Sequence, residues 1–331
     1  MHATTPTEHR PGETTPNNRH VLVVGEALVD VVHRADGSVA EHPGGSLANV
    51  ALTLGRLGRD ARLATWLGHD AHGEAVRAWL DDSAVTLTPG STDAPTTSVA
   101  TAHLDAHGAA TYEFDLEWRV PAGTAPDAGT LAVHTGSIAA VLEPGASDVR
   151  ALVAAARDTA TITYDPNARP ALMGDPADAR TRIEALVALA DVVKVSDEDV
   201  AWLVPSADPV AVAREWLALG PALVVVTFGG EGAVAVTATG EQRARAPRVE
   251  VVDTVGAGDS FMGALLDGLW EAGLLGADRR EALRAIDATV LGDVLRRCVA
   301  VAAVTVSRAG ANPPRRAELA PAREADREGH A

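Results

Sequence analysis

Residues 251–269 read VVDTVGAGDSFMGALLDGL, which predicts the end of a strand at Val251 and Val252, a glycine turn and then a helix. From Asp259 onward, small and apolar residues recur at helical spacing: Phe261, Ala264, Leu265, Gly268, Leu269 and Ala272. Glycine at 256 and 258 lets consecutive backbone N–H groups converge at the helix start, where anions bind readily. The stretch therefore predicts an anion site beside the Asp259 carboxylate.

A carboxylate beside an anion site suits the transfer of a phosphoryl group to a hydroxyl. A purely structural interpretation of the same residues is also open. An acid in a first helical turn gains about 0.3–1 kcal/mol from the helix dipole, and glycine turns also serve packing. This stretch alone does not separate the two interpretations.

The composition narrows the classes of partner. The chain of 331 residues carries 28 Lys and Arg against 45 Asp and Glu, a formal charge of −17. This balance argues against nucleic acid or an anionic membrane as a partner. Cys298 is the only cysteine, so an intrachain disulfide is impossible and a cysteine metal site is not expected.

We expect a cytoplasmic protein with a flexible leader at 1–19, one domain at 20–315 and a flexible tail at 316–331. The leader lacks the apolar run of a secretory signal. No stretch approaches the roughly 18–20 apolar residues of a membrane span.

The first strand argues against the commonest nucleotide-binding folds. Residues 21–24, VLVV, form an apolar run typical of a buried parallel strand. GEALVDVV follows where a dinucleotide-binding fold needs GxGxxG, and the Walker pattern GxxxxGK[ST] is absent from the chain. Asp30, beyond this strand, is expected either at an exposed pleat position or at the carboxyl end of the sheet, where ligands bind in open α/β folds.

Residues 43–58, PGGSLANVALTLGRLG, predict a second glycine turn and helix. Gly44 and Gly45 form the turn, and Gly58 suits the position just after the helix. Asn49 lies about 200° around the helix from Leu47, at about 100° per residue, and so off the apolar stripe. It either points toward the region over the Gly-Gly turn or is an ordinary exposed residue.

These two glycine-led helices resemble, in their order and spacing, the signatures of the ribokinase-like (PfkB) family of carbohydrate kinases. The resemblance covers about residues 20–315, and fructokinases are nearest in look. Further tracts support it: GHDAHG at 68–73, HTGS at 134–137, DPNAR at 165–169, KVSDED at 194–199 and TFGGEG at 227–232.

Strand and helix patterns agree with the fold that this resemblance implies: a doubly wound, mainly parallel α/β sheet with a small β lid. Residues 96–104 and 110–118 alternate as half-exposed strands around a turn, AHG, at 106–108. Val99, Tyr112, Phe114 and Leu116 are expected on one packed face. We expect lid segments near 31–42 and 95–119, the alternative being an edge hairpin of the main sheet.

The resemblance also implies roles for single residues. Asp259 would be the general base, and Gly256, Ala257 and Gly258 would form the anion hole. The other roles are sugar binding by Asp30, Gly44, Gly45, Asn49 and Arg169; ATP binding by Lys194, Thr227, Gly229, Gly232, Gly256 and Gly258; and cation binding by Asp253, Asp199 and Gly310. Ser196-x-x-Asp199 stands where the family often has Asn-x-x-Glu, and the same residues resemble a capping box.

The implied activity is ATP-dependent phosphorylation of a sugar hydroxyl, a primary one as in fructokinases, with ATP and Mg²⁺ as cofactors and K⁺ dependence left open. Alternatives are a 2-keto-3-deoxygluconate kinase, a nucleoside kinase or a catalytically silent sugar-binding relative. An oxidoreductase is disfavoured because GxGxxG is missing. A homodimer through the lid is a further expectation.

Overall fold

The computed structural model describes residues 18–104 and 110–319, which build a large sheet, a small sheet and the helices around them. The strands in chain order are β1 His20–Val24, β2 Leu28–His33, β3 Val39–Gly44, β4 Ala61–Ala64, β5 Val85–Leu87, β6 Val99–Leu104, β7 Ala110–Asp115, β8 Thr130–Gly136, β9 Thr161–Asp165, β10 Val192–Ser196, β11 Leu223–Thr227, β12 Ala233–Thr237 and β13 Gly240–Ala244. The helices are α1 Ser46–Arg56, α2 Ala71–Asp82, α3 Gly145–Ala156, α4 Pro170–Met173, α5 Pro176–Val187, α6 Asp197–Leu203, α7 Pro209–Leu217, α8 Ala257–Glu271, α9 Arg280–Arg284 and α10 Ala288–Val306.

The large sheet has nine strands in the order β13-β12-β11-β10-β9-β8-β1-β4-β5. The seven strands from β11 to β5 pair in parallel, and β12 and β13 add an antiparallel edge. Apolar runs such as the one in β1 are buried, as expected for parallel strands covered on both faces. The predicted doubly wound, mainly parallel fold is confirmed.

The strand order reverses beside β1. The chain passes from β1 through the small sheet to β4 and β5, and then returns to β8 on the other side of β1. In open α/β sheets, ligands bind at the carboxyl ends of the strands next to such a reversal. The segments that follow β1, β8 and β9 therefore mark the edge where a site is expected.

The small sheet has four strands in the order β3-β2-β6-β7 and corresponds to the predicted lid. The expected packed face is wrong for two of its members, since Tyr112 and Phe114 are 61% and 40% exposed and stack on each other. The strand register explains this, because Val99 lies opposite Asp115 and so points away from the face of Phe114. The expected AHG turn at 106–108 lies outside the described residues.

Helix α8 packs against α1 and α10 and thereby brings together the two glycine-led helix starts. Both helices form as predicted, and Gly58 follows α1 with a φ of +75°. The strand end expected at Val251 and Val252 is wrong. Both side chains are exposed, and the N–H of Val252 donates to the carbonyl oxygen of Val306 at the end of α10 instead of joining a sheet.

Ordered structure continues past residue 315, where the tail was expected to follow. Residues Arg316–Glu318 form a 3-10 turn, and Arg316 Nε donates to the carbonyl oxygen of Leu57 at 2.6 Å. Within the described ranges, no helix combines the length and the hydropathy needed to cross a membrane.

Candidate active site

The start of α8 leaves backbone donors free. Gly256 precedes the helix with a φ of +73°, and a Cβ there would lie 2.6 Å from the Cβ of Ala311, so only glycine fits. The N–H of Ala257 donates to the carbonyl oxygen of Thr254 at 3.2 Å. Among the described residues, the N–H groups of Gly256 and Gly258 have no protein acceptor. The expected three-donor anion hole therefore has two unengaged N–H groups and one that is already bonded.

Asp259, in the first turn of α8, is buried and held by three side-chain donors. Its Oδ1 accepts hydrogen bonds from Ser46 Oγ at 2.8 Å and from Asn167 Nδ2 at 3.0 Å. Its Oδ2 accepts one from Asn49 Nδ2 at 2.7 Å. These partners come from α1 and from the segment after β9, so two separate parts of the chain fix this carboxylate.

Asn49 is not an ordinary exposed helix residue. It is 6% exposed, and its amide nitrogen donates to Asp259. Its Oδ1 is buried and has no hydrogen-bond partner within the described part of the chain. One end of this amide thus orients the carboxylate, while the other keeps an unused acceptor beside it.

Two of the donors to Asp259, Ser46 and Asn167, were missed by the sequence analysis. Ser46 follows the Gly-Gly turn directly, where a hydroxyl is readily taken for a helix cap. Asn167 lies in the DPNAR tract, in which the sequence predicts a binding role only for Arg169. Its φ of +37° is rare outside glycine, but is one that Asn tolerates better than most residues. An Asn after a buried strand, at the ligand-binding edge, was the available signal.

The expected sugar-binding residues lie on the lid side of this cluster. A Cβ on Gly44 would lie 2.4 Å from Asp30 Oδ2, so glycine lets the Asp30 carboxylate approach the end of β3. Burial raises the pKa of Asp30, while the charges of Arg169 and His42 oppose the rise. Gly45, with a φ of +105°, precedes α1.

Arg169 is exposed and folds back on its own loop. Its Nη1 donates to Asn167 Oδ1 at 2.7 Å and to the carbonyl oxygens of Asn167 and Ala168. The guanidinium therefore braces the amide whose nitrogen holds Asp259, and it does not reach across to another element through these bonds.

Lys194 is not a solvated strand end. Its ammonium pairs with Asp165 Oδ2 at 3.0 Å, and both side chains are buried. A Cβ on Gly258 would lie 2.9 Å from Lys194 Nζ, so the charge lies directly against the start of α8. Burial opposes the charged form, but the Asp165 and Asp199 carboxylates outweigh it and raise the pKa of Lys194.

The expected ATP contacts Thr227, Gly229 and Gly232 lie at the carboxyl end of β11 and in the 3-10 turn that follows. Gly232 has a φ of +110°, and a Cβ there would lie 2.0 Å from the carbonyl oxygen of Ala244. Strand β11 neighbours β10, which ends beyond Lys194. The turn and Lys194 thus share one edge of the sheet.

The expected cation residues fall into two separate arrangements. Asp253 accepts the N–H groups of Val255 at 3.0 Å and Gly310 at 2.9 Å, which brings positions 253 and 310 together. Asp199 accepts the N–H groups of Ala168 and Ser196, and the predicted capping box is confirmed. Within residues 18–104 and 110–319, no cluster of three or more His, Cys, Asp or Glu could hold a metal.

Comparisons with known proteins agree with this architecture. Residues 18–317 match the model of the pfkB family carbohydrate kinases. The fructokinase of Rhizobium leguminosarum bv. trifolii is 35% identical over 259 residues, covering 75% of this chain and 79% of that protein. The structure of the Xylella fastidiosa fructokinase with bound ATP aligns with a TM-score of 0.76 and 25% identity, covering 88% of this chain and 93% of that one.

An aminoimidazole riboside kinase from Salmonella enterica, solved with aminoimidazole riboside and an ATP analog, aligns with a TM-score of 0.73 and 27% identity. The match covers 88% of this chain and 95% of that one. The family match spans both glycine-led helices, the lid and the whole parallel sheet. The chain therefore belongs to the pfkB family of carbohydrate kinases and is an ATP-dependent phosphotransferase.

Proposed function

We propose that this protein transfers the γ-phosphate of ATP to a primary hydroxyl of a sugar, with fructose as the first candidate. The observation that carries the proposal is the buried Asp259, which three donors hold at the start of a helix with free N–H groups. The similarity to fructokinases supports the choice of sugar.

Asp259 acts as the general base. A carboxylate has about four lone-pair sites. Two hydrogen bonds to Oδ1 and one to Oδ2 leave one site, on Oδ2, for the proton of the attacking hydroxyl. A positioned base contributes about 10²–10⁴ in rate.

The start of α8 and Lys194 stabilise the transferring group. The free N–H groups of Gly256 and Gly258 would donate hydrogen bonds to the phosphoryl oxygens, and the Ala257 N–H would join them once its bond to Thr254 opens. Losing one preorganised donor of this kind costs about 2.7–4 kcal/mol. Lys194 uses one of its three N–H donors in the bond to Asp165, and it adds a positive charge next to Gly258 at the start of α8.

The sugar lies between the lid and Asp259. Asp30 and the free Oδ1 of Asn49 accept hydrogen bonds from sugar hydroxyls, and Gly44 and Gly45 allow close approach. Buried polar groups of this kind discriminate strongly against analogues that lack the matching hydroxyl. Arg169 faces the same side and would suit an acidic group, which keeps 2-keto-3-deoxygluconate as an alternative.

Thr227, Gly229 and Gly232, in and beside the turn after β11, would contact the nucleotide. Asp199 accepts two N–H bonds and keeps acceptor capacity, which fits a Mg²⁺ ion held through water better than direct coordination. Bound Mg²⁺ would neutralise part of the charge on the phosphates. Asp253 and the backbone near Gly310 would hold K⁺ in a distinct place.

We also propose a cytoplasmic enzyme without nucleic-acid or membrane partners, in keeping with its charge of −17. The exposed, stacked Tyr112 and Phe114 on the lid supply an apolar surface for a homodimer. The same aromatic pair favours a second candidate, a nucleoside kinase, because aromatic rings stack on bases. The likeness to the riboside kinase is consistent with that alternative.

An ADP-release panel tests these proposals. The purified protein is given ATP and Mg²⁺ with ketohexoses, pentoses, 2-keto-3-deoxygluconate or nucleosides, each with and without K⁺. We expect the highest kcat/KM with fructose. A higher value for another acceptor would reassign the substrate. Sugar binding without ADP release above the acceptor-free rate would instead identify a catalytically silent relative.

A further inference from the structure

Glu26 is a buried carboxyl group that the mechanism above does not use. It follows β1, the strand beside the reversal of strand order, and is 6% exposed. Its Oε1 accepts the N–H of Ser46, the first residue of α1, at 3.0 Å. The carboxyl group therefore connects the end of a central strand to the start of a helix that carries two donors to Asp259.

Helix α1 has no cap of its own. Gly45, at the cap position, has no side chain, and the first turn of the helix contains no acidic residue. Helix starts leave four N–H groups without intrahelical partners, and a nearby oxygen usually satisfies one. Glu26 supplies this oxygen from 20 residues away in the sequence.

Ser46 joins Glu26 to the predicted base. Its N–H donates to Glu26, and its Oγ donates to Asp259 Oδ1. Asn49, one turn later, donates to Asp259 Oδ2. Anchoring the first turn of α1 therefore fixes two of the three donors that orient the base.

We propose that Glu26 is a positioning residue for phosphoryl transfer, which holds the first turn of α1 so that Ser46 and Asn49 aim the Asp259 carboxylate. The inference rests on the proposed role of Asp259. A structural cap alone would be an incomplete explanation, because Glu26 Oε2 is buried without a partner among the described residues, and such an oxygen costs free energy.

The surroundings of Glu26 link it to the same cluster. Burial raises its pKa to about 7. The charged groups that face it are Arg169, which lowers the pKa, and Asp259, which raises it. The charges of the Glu26 and Asp259 carboxyl groups thus interact electrostatically, and Ser46 is hydrogen-bonded to both groups.

Three substitutions separate positioning from simple stabilisation. Glu26→Gln keeps an acceptor for the Ser46 N–H but removes the charge, Glu26→Leu removes both, and Glu26→Asp withdraws the carboxylate by one methylene. We expect Glu26→Leu to lower kcat about 10²-fold, the order caused by a misplacement of about 1 Å, with KM for ATP little changed. Glu26→Gln should restore most of kcat, and Glu26→Asp should be intermediate.

Asp191→Asn is the matched control. Asp191 is also a buried carboxylate that accepts a backbone N–H, that of Ile162, but it lies at the amino end of β10, away from the site. This variant should lower the melting temperature and leave kcat unchanged. A kcat that fell in Asp191→Asn and Glu26→Leu alike would indicate general destabilisation and overturn the proposal.

A second measurement does not depend on turnover. Side-chain amide ¹H–¹⁵N spectra of the labelled protein follow the hydrogen bond from Asn49 Nδ2 to Asp259 Oδ2. We expect the Asn49 amide protons to exchange with solvent faster in Glu26→Leu than in Glu26→Gln, because only the Gln side chain still accepts the N–H of Ser46 and anchors the first turn of α1. Both variants lack the Glu26 charge, so the difference reports the hydrogen bonds.

Identical exchange rates of the Asn49 amide protons in the two variants, or an undiminished kcat in Glu26→Leu, would overturn the role of Glu26. If Glu26→Leu does not fold, the same comparison is made between Glu26→Asp and Glu26→Gln. A wild-type protein that phosphorylates no acceptor would instead contradict the proposed function, and the exchange of the Asn49 amide protons would still decide whether Glu26 positions Asp259.

Discussion

Helices α1 and α8 both begin after a glycine with a positive φ, but they differ in which groups accept hydrogen bonds from the N–H groups at the helix start. Gly45 precedes α1 with a φ of +105°, Gly256 precedes α8 with a φ of +73°, and neither helix has a side-chain cap of its own. At α1, Glu26 accepts the N–H of Ser46. At α8, the N–H groups of Gly256 and Gly258 stay free among the described residues. The start of α1 is anchored from within the protein, and the start of α8 keeps two free N–H groups.

The acid in the first turn of α8 explains why that start stays open. Asp259 does not cap its own helix, because its oxygens are occupied by Ser46, Asn49 and Asn167. Lys194 adds a positive charge at Gly258. A glycine turn thus becomes anchored or keeps free N–H groups according to which side chains other elements bring to it.

Removing the Asp259 carboxylate at the start of α8 should have the largest effect on kcat. We expect Asp259→Ala to lower kcat by about 10²–10⁴ or more, because the general base is lost, while ATP binding measured by calorimetry stays largely intact. Asp148→Asn, an exposed first-turn acid of α3, is the matched control. Undiminished turnover in Asp259→Ala would contradict the role of Asp259 as the general base.

Removing the Lys194 ammonium next to the start of α8 should have the second-largest effect. Lys194→Met leaves Asp165 buried without its partner, and breaking a buried pair in this way costs about 3–5 kcal/mol. Denaturant unfolding should show this loss, and the double variant Lys194→Met/Asp165→Leu should recover much of it. If the double variant regains stability but not kcat, the charge serves catalysis. Full recovery of kcat would limit Lys194 to a structural role.

Changing the glycine at the open start tests the anion hole directly. We expect Gly256→Ala to lower kcat by about 10²–10³, the equivalent of one lost donor, because the new Cβ meets Ala311 and displaces the turn. Gly273→Ala is the control, since Gly273 has a similar φ of +67° but open space around a Cβ. An equal loss of kcat in both variants would argue against a role specific to Gly256.

At the anchored start of α1, the burial of Glu26 should make the stability of the protein depend on pH. Burial raises the pKa of Glu26 from 4.5 to about 7, so the native state binds this proton more tightly than the unfolded state. The contribution of Glu26 to the free energy of unfolding therefore falls as pH rises from about 4.5 to 7, by about 3 kcal/mol at 1.36 kcal/mol per unit. Relative to wild type, Glu26→Gln should gain stability over this range in denaturant unfolding.

The control for that experiment is Glu250→Gln, which removes an exposed carboxylate. A stability difference between Glu26→Gln and wild type that stays constant from pH 5 to pH 8 would contradict the buried, protonatable Glu26. It would also weaken the contrast between the two helix starts, because the anchor would then carry no titrating group.

The sequence by itself determined the elements whose signals are local. Apolar runs predicted the parallel strands, and the glycines before α1 and α8 predicted both helix starts. Ser196 and Asp199 predicted the capping box of α6, which forms as expected. These features depend on residues within one turn or one strand, so spacing and residue type suffice to find them.

Tertiary structure decided which side chains meet. The hydrogen bonds from Ser46, Asn49 and Asn167 to Asp259 join positions between 92 and 213 residues apart. No local pattern encodes such pairings, because they depend on how α1, α8 and the segment after β9 pack. The exposure of Tyr112 and Phe114 likewise follows from strand register, which alternation within one strand does not set.

The same division applies to the two glycine-led starts. The sequence determined that both would be turns leading into helices, with an acid in the first turn of α8. Only the packing of α1 on α8, and the burial of Glu26 and Lys194 beside them, decided that one turn would be anchored and the other left open. The physical reason is that the first N–H groups of a helix donate to whichever oxygen lies nearest, and distant parts of the chain supply that oxygen.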